Sequence, residues 1–353
     1  MRVLFVKLGA IGDIVHTLPA LAAVRRMLPH AEVDWVAEAR SAEILRGNPL
    51  INRLIEVDTH SVRSGWSPER IIAEIKRQSS PLRSRKYDVT IDFQGLLKSS
   101  AIAKISGAKR RIGFDKGNLR EPSARIMYTE KVPVPHGINV IDKNLALVRD
   151  SLGIETGDEP YEFPVQTTAE HRLEADAIAG RSAGKFALLN PGGGWVTKLW
   201  RSADFGRLAK RLWEEAGIEP IIVTGPAESH LAAEAQANAG GIEMIRAEPT
   251  LKGFYELAKR AVVYVGGDTG PTHIAVAAGT PIVGIFGPTE WWRNGSPRAE
   301  DICVGRDDIG CRVDCHRRTC SKWICMDISV DAVFEAVTRR VELATVAPKE
   351  AAV

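Results

Sequence analysis

Three short stretches carry residue types whose spacing could do chemistry. The first is Lys7-Leu8-Gly9-Ala10-Ile11-Gly12-Asp13-Ile14-Val15-His16. It follows an apolar run, Val3 to Val6, and opens an apolar-periodic segment from Ile14 to Leu28, which predicts strand, glycine turn and helix. The unpaired N–H groups and positive dipole end of a helix start favour an anion. Phosphate binding by the turn is therefore one reading. Asp13 adds a carboxylate there, and it has two readings of its own: the N-cap of the helix, or a general base at the mouth of a cleft.

The second stretch is Gly266-Gly267-Asp268-Thr269-Gly270-Pro271-Thr272-His273. Its glycines let backbone approach a ligand closely. Asp268, Thr269, Gly270 and Thr272 stand where a helix N-terminus can present N–H groups to a phosphate, and His273 adds a donor. The plainer alternative is a capped helix with no ligand. The third stretch is Asn190-Pro191-Gly192-Gly193-Gly194, with Lys198 close behind. A lysine beside a glycine loop can neutralise a diphosphate as a point charge; a solvated surface lysine is the alternative. Neither G-x4-G-K-[ST] nor G-x-G-x-x-G spacing is present, so nothing points to a P-loop or to nicotinamide chemistry. Glu228, after Gly225-Pro226, could accept from ribose hydroxyls or simply face the dipole of a helix.

The elements that must hold these stretches alternate. Strand candidates at Val3–Val6, Val33–Val36, Leu54–Val57 and Val89–Phe93, with a further short one at Arg110–Gly113, are separated by helical patterns. These include a basic segment from Ser67 to Arg85 and a helix from Asn139 to Ser151 that ends at Gly153. The pattern dissolves between Ile154 and Thr168, then resumes with runs at Phe186–Leu189, Ile221–Thr224, Val262–Val265 and Ile282–Phe286, and a last helix over 330–343. Strand–helix alternation predicts parallel sheets covered on both faces. We expect two Rossmann-like doubly wound domains, 1–160 and 161–330, with a C-terminal helix and tail over 331–353. Ligands of such sheets sit beyond the carboxyl ends of strands. The glycine turns fall at those ends, and are expected to line one cleft between the domains.

A length of 353 residues suits two domains, and the 26% charged and 44% hydrophobic fractions are ordinary for a water-soluble protein. Lys7 and Asp13 interrupt any apolar signal-peptide core, and the chain lacks a run of apolar residues long enough to span a bilayer. A cytoplasmic location is the expectation. Net charge is only +3, yet 60–131 holds sixteen Lys/Arg against seven Asp/Glu. That bias fits solvated helix faces or a surface for an anionic partner; the scarcity of aromatics among the cations argues against single-stranded nucleic acid. Cys311, Cys315, Cys320 and Cys325 follow Cys303 at spacings unlike the paired C-x2-C of common zinc ribbons, so no metal is expected.

The motif Lys7 to Leu21, the stretch Gly267-Asp268-Thr269-Gly270-Pro271-Thr272-His273-Ile274-Ala275, and Gly287-Pro288-Thr289 together resemble the lipopolysaccharide heptosyltransferases. These are inverting, ADP-heptose-using glycosyltransferases of the GT-B fold, and the resemblance runs from residue 1 to about 340. Ile91 to Ser99, Arg120-Glu121-Pro122, His136 and Asn144 look most like the type I enzymes, which add the first heptose to Kdo on lipid A. The loop Pro191 to Trp195 departs from the Thr-rich version of enteric type I enzymes. The cysteine segment looks more like type II and the wider family.

The resemblance implies roles. Asp13 would be the general base and Lys198 the catalytic cation. Gly12, Gly193, Gly194, Glu228, Asp268, Thr269, Gly270 and His273 would bind the ADP-sugar, and Gln94, Lys98 and Arg120 the acceptor. It implies no cofactor and no metal, no nucleic acid, an anionic glycolipid acceptor, and peripheral contact with the inner face of the cytoplasmic membrane of a Gram-negative-type bacterium. A type II-like or other ADP-sugar transferase, a nucleotide-sugar epimerase, and a non-catalytic binder of anionic glycolipid or nucleic acid remain as alternatives.

Overall fold

The structure is a computed structural model that describes residues 1–58, 77, 78, 80–156, 160–311, 315 and 317–346. They form two compact units, Met1–Gln166 and Thr167–Val353.

In chain order the first unit contains β1 (Arg2–Val6), α1 (Ile11–Val15), α2 (Leu18–Met27), β2 (Glu32–Glu38), β3 (Arg53–Val57), β4 (Val89–Asp92), α3 (Leu97–Ile105), β5 (Arg110–Phe114), β6 (Glu130–Val132) and α4 (Val140–Leu152). Its sheet has the order β3-β2-β1-β4-β5-β6, with every pair parallel. The chain winds outward from β1 to β3, then returns to lay β4 on the other side of β1. The order therefore reverses between β1 and β4, where doubly wound sheets open their crevice. Val3, Leu4, Phe5 and Val6 are all fully buried, as a parallel strand covered on both faces requires.

The second unit repeats the plan. It contains α5 (Ala169–Ala179), β7 (Phe186–Asn190), α6 (Ser202–Ala216), β8 (Glu219–Val223), α7 (Ser229–Ala237), β9 (Ile245–Ala247), α8 (Leu251–Ala258), β10 (Val263–Gly267), α9 (Gly270–Ala277), β11 (Ile282–Ile285), α10 (Trp291–Asn294), β12 (Ile302–Val304) and α11 (Val330–Val346). The order β12-β11-β10-β7-β8-β9 is again all parallel, and its reversal lies between β10 and β7. Leu189, Phe205, Leu208, Ile222 and Val265 form the core with Val333 and Val337 of α11. The last helix is thus part of the second unit's own interior. Trp200 joins this core and donates from Nε1 to the Ile328 carbonyl at 2.9 Å.

The segment 14–28 is not one helix. Pro19 has no N–H to offer the Val15 carbonyl, so the helix stops and restarts with Pro19 in the first turn of α2. Asn144 on α4 stabilises the break: its Nδ2 donates to the His16 carbonyl at 3.0 Å and to Thr17 Oγ1 at 3.2 Å. α4 starts as expected, with Asn139 accepting from Ile141 N–H, and ends on Gly153 in the left-handed region at φ 65°. The helix expected over Ser67–Arg85 falls largely outside the described residues; 77, 78 and 80–83 are helical.

Candidate functional site

At the reversal point of the first sheet, the loop after β1 is anchored from several sides. The Lys7 ammonium is buried and donates to the Phe93 carbonyl at 3.1 Å; the Lys7 carbonyl accepts from Trp35 Nε1 at 3.1 Å. Gln94 Oε1 accepts from Leu8 N–H at 3.2 Å and Gly9 N–H at 3.4 Å. Gly9 has no room for a side chain, since a Cβ would lie 2.9 Å from Ser41 Oγ.

Asp13 stands within α1 and is not its N-cap; that position is held by Ala10. The carboxylate reaches back one turn. Oδ2 accepts from Ala10 N–H at 3.0 Å, and Oδ1 is 3.7 Å from the Lys7 ammonium. Its side chain remains 42% exposed. Asp13 is thus fixed in direction by two partners and still open to a substrate. Gly12 lies beside it in α1, its carbonyl accepting from His16 N–H at 2.9 Å.

The expected acceptor residues have definite positions. Gln94 is the anchor of the Asp13 loop. Lys98 pairs with the buried Glu38 at 3.3 Å. Arg120 is exposed between two short 3-10 helices, Lys116–Asn118 and Pro122–Met127. The basic run is partly neutralised within the unit, where Arg85 pairs with Glu32 and Arg110 with Glu130; Lys104, Lys109, Lys116 and Arg120 are exposed.

In the second unit, the loops after β7 and β10 meet at the reversal point. Lys198 Nζ lies 2.5 Å from Asp268 Oδ2 and 4.5 Å from the centre of the Trp195 ring. Asp268 Oδ1 is 3.2 Å from His273 Nε2, and Asn294 Nδ2 donates to Oδ2 at 3.4 Å. Burial acts to raise the Asp268 carboxyl. The hydrogen bond and charge of His273, with the ammonium of Lys198, outweigh it and hold the group well below the usual carboxylate range. Lys198 is therefore oriented by Asp268. Thr269 is the N-cap residue of α9 and Gly270 its first helical residue, so the helix opens onto this pair.

Glycines let these loops touch. A Cβ on Gly193 would be 2.6 Å from Thr269 Cγ2, and one on Gly267 would be 2.8 Å from the Lys198 carbonyl. Gly194 faces open space. Glu228 ties the loops after β7 and β8 together, accepting from Gly193 N–H at 3.0 Å and Gly225 N–H at 2.9 Å. Asn190 Oδ1, at the carboxyl end of β7, and Thr289 Oγ1, beyond that of β11, are buried without hydrogen-bond partners among the described residues. Such atoms cost about 1–3 kcal/mol each unless a ligand satisfies them.

Sequence reasoning placed Asp13, Lys198, Asp268, Thr269, Gly270 and His273 at strand ends, and the structure brings the last five together. It missed Asn294, which has no local signal, and the part played by Trp195.

Among the described residues no helix is long and apolar enough to cross a membrane. Glycosyltransferase family 9 (heptosyltransferase) matches residues 75–324. Lipopolysaccharide heptosyltransferase 1 of Pseudomonas aeruginosa is 31% identical over 91% of this chain and 88% of its own length. The Escherichia coli heptosyltransferase WaaC with ADP superposes with a TM-score of 0.76 at 25% identity, covering 96% of this chain and 100% of that one. The same enzyme with ADP-2-deoxy-2-fluoro heptose gives 0.76 at 24%, with 96% and 99% covered. The two parallel sheets and these neighbours bear out the GT-B fold class. The chain is a glycosyltransferase and belongs to family 9, the heptosyltransferases.

Proposed function

We propose that the protein transfers heptose from ADP-heptose to the Kdo of lipid A–Kdo, with inversion, in the assembly of the lipopolysaccharide inner core. The observation that carries this reading is the Lys198–Asp268–His273 cluster at the start of α9, where the sheet order reverses. A cation beside unpaired helix N–H groups suits a diphosphate whose charge grows as the sugar departs. The likeness to a heptosyltransferase 1 and to WaaC with an ADP-heptose analogue supports the choice of donor.

In this mechanism the acceptor hydroxyl attacks the anomeric carbon while Asp13 takes its proton. The bond to the diphosphate oxygen breaks on the opposite face, so one displacement inverts the centre. Lys198 and the N–H groups at Thr269 and Gly270 receive the leaving ADP, and Glu228 and Asp268 meet ribose and sugar hydroxyls. Neutralisation by lysine and backbone dipoles leaves no step that calls for a metal. On this reading the exposed Lys104, Lys109, Lys116 and Arg120 would meet Kdo carboxylates and lipid A phosphates, and the enzyme would work at the inner face of the cytoplasmic membrane.

The test is incubation of the protein with ADP-heptose and Kdo-lipid A. One heptose gained per ADP released, in the inverted anomeric form, is expected. No ADP release would overturn the reading. Epimerised sugar in the absence of acceptor would replace transfer by epimerisation, and a strict need for an acceptor already bearing heptose would replace the type I assignment by type II.

A further inference from the structure

Asp92 is a buried carboxyl that the transfer step does not use. It ends β4, next to the reversal point of the first sheet, and is fully buried. Burying a carboxyl is costly unless its oxygens are satisfied, and here both are. Oδ1 accepts from Gln94 N–H at 2.9 Å and from Gly95 N–H at 3.2 Å. Oδ2 accepts from the Tyr128 hydroxyl at 2.6 Å and from the Ser99 hydroxyl at 2.8 Å. All four partners are neutral. Burial holds the carboxyl above its ordinary value in spite of these bonds. For stability alone, apolar groups of the same shape would do as well.

The neighbouring strand is shaped to admit one of these partners. Gly113 of β5 is in register with Asp92. A Cβ on Gly113 would fall 2.3 Å from the Tyr128 ring, so the missing side chain is the space the tyrosine occupies. Ser99 lies in the first turn of α3, and its Oγ also accepts from the N–H of Leu96, the N-cap residue, at 3.0 Å. Oδ2 is thus clamped by two separate elements. Oδ1 holds a turn: Gly95 stands at φ 68°, in the left-handed region that glycine adopts without strain.

The Asp13 loop rests on that turn. The Phe93 carbonyl receives the Lys7 ammonium, and Gln94 Oε1 receives the N–H groups of Leu8 and Gly9. Lys7 and Ala10 are in turn the two groups that face the Asp13 carboxylate. The contacts therefore run from Tyr128 and Ser99 through Asp92 to Phe93–Gly95, on to 7–9, and end at Asp13. Every link lies in the first unit. Because Asp92 is sealed from solvent, it can reach the reaction only through this chain.

We propose that Asp92, gripped by Tyr128 and Ser99, is a positioning residue for the transfer reaction: it fixes the turn after β4, and that turn aims Asp13 at the acceptor hydroxyl. The inference deepens the reading in which Asp13 is the base, and rests on it.

The test is a double-mutant cycle in the full chain, with ADP-heptose and Kdo-lipid A as substrates. Asp92→Ala in the wild-type background should lower kcat about 100-fold, as small misplacements of a reacting group do, and leave donor KM and ADP affinity unchanged. In the Asp13→Asn background the same change should cost less than about two-fold, because the group it aims is already gone. Asp92→Asn should restore most of the rate, since its amide oxygen can accept from both N–H groups while its nitrogen donates to the two hydroxyl oxygens. Tyr128→Phe covers the case in which Asp92→Ala fails to fold. It keeps the ring beside Gly113, removes one donor, and should lower kcat only where Asp13 is present. Equal losses in the two backgrounds, a raised donor KM at unchanged kcat, or asparagine no better than alanine would overturn the positioning role. Asp13→Asn alone turning over at the wild-type rate would instead remove the base reading, and this inference with it.

Discussion

The pair Lys198–Asp268 allows stability and catalysis to be separated by substitution. Replacing Asp268 by Asn removes the counter-charge of an ammonium that is 15% exposed, leaving it only neutral partners: the amide oxygen, the backbone carbonyl of residue 268 at 3.4 Å and the Trp195 ring. Removing one partner of a buried ion pair costs about 3–5 kcal/mol, and partial exposure puts this case at the low end. Lys198→Met instead leaves Asp268 with His273 and Asn294, and the lost charged hydrogen bond costs about 1.5–3 kcal/mol. The double variant removes both charges and should recover most of the stability lost in Asp268→Asn. Its rate should not recover. If Lys198 stabilises the leaving diphosphate, every variant lacking it loses about 100- to 1,000-fold in kcat, roughly 3–4 kcal/mol. Urea unfolding of the second unit and ADP release at saturating donor measure the two quantities. A double variant that regained both stability and kcat would show that Lys198 serves only as counter-charge to Asp268, and the mechanism would lose its cation.

Further outcomes follow from the same geometry. Asp13→Asn can still accept from Ala10 N–H but takes no proton, so kcat should fall about 100- to 10,000-fold while ADP affinity, followed by calorimetry, stays unchanged. Gly192→Ala places a Cβ 2.1 Å from Glu228 Oε2 and should dislodge the carboxylate and raise the donor KM, whereas Gly194→Ala meets nothing within 4 Å and should match wild type. The Asp268 carboxyl is held below its ordinary value of 3.8. Its stabilisation is therefore complete above that pH and is lost as pH falls through the lower folded value. Asp268→Asn should flatten the acid limb of a stability–pH curve, and an unchanged limb would mean that the pair contributes nothing.

The long, doubly covered strands were readable because burial on both faces leaves continuous apolar runs: β1, β4, β7 and β10 stand where the sequence puts them. β6, β9 and β12 were not, because Glu-Lys-Val, Ile-Arg-Ala and Ile-Cys-Val are three-residue strands near or at sheet edges with too little length to show a pattern. The chemistry-bearing residues were legible because glycine turns at strand ends advertise them. Their partnerships were not. Lys198 and Asp268 are seventy positions apart, and Gln94 and Glu228, expected as ligand contacts, also accept from backbone N–H groups of neighbouring loops through their carbonyl and carboxylate oxygens. Sequence spacing carries no record of which distant loop a side chain will reach.

The Glu228 bridge has an evolutionary consequence. Because one carboxylate must reach Gly193 and Gly225 at once, neither loop can gain or lose a residue on its own. Lengths after β7 and β8 should change together among descendants of this chain or stay frozen, and any lineage that replaces Glu228 should carry compensating insertions on both sides of it.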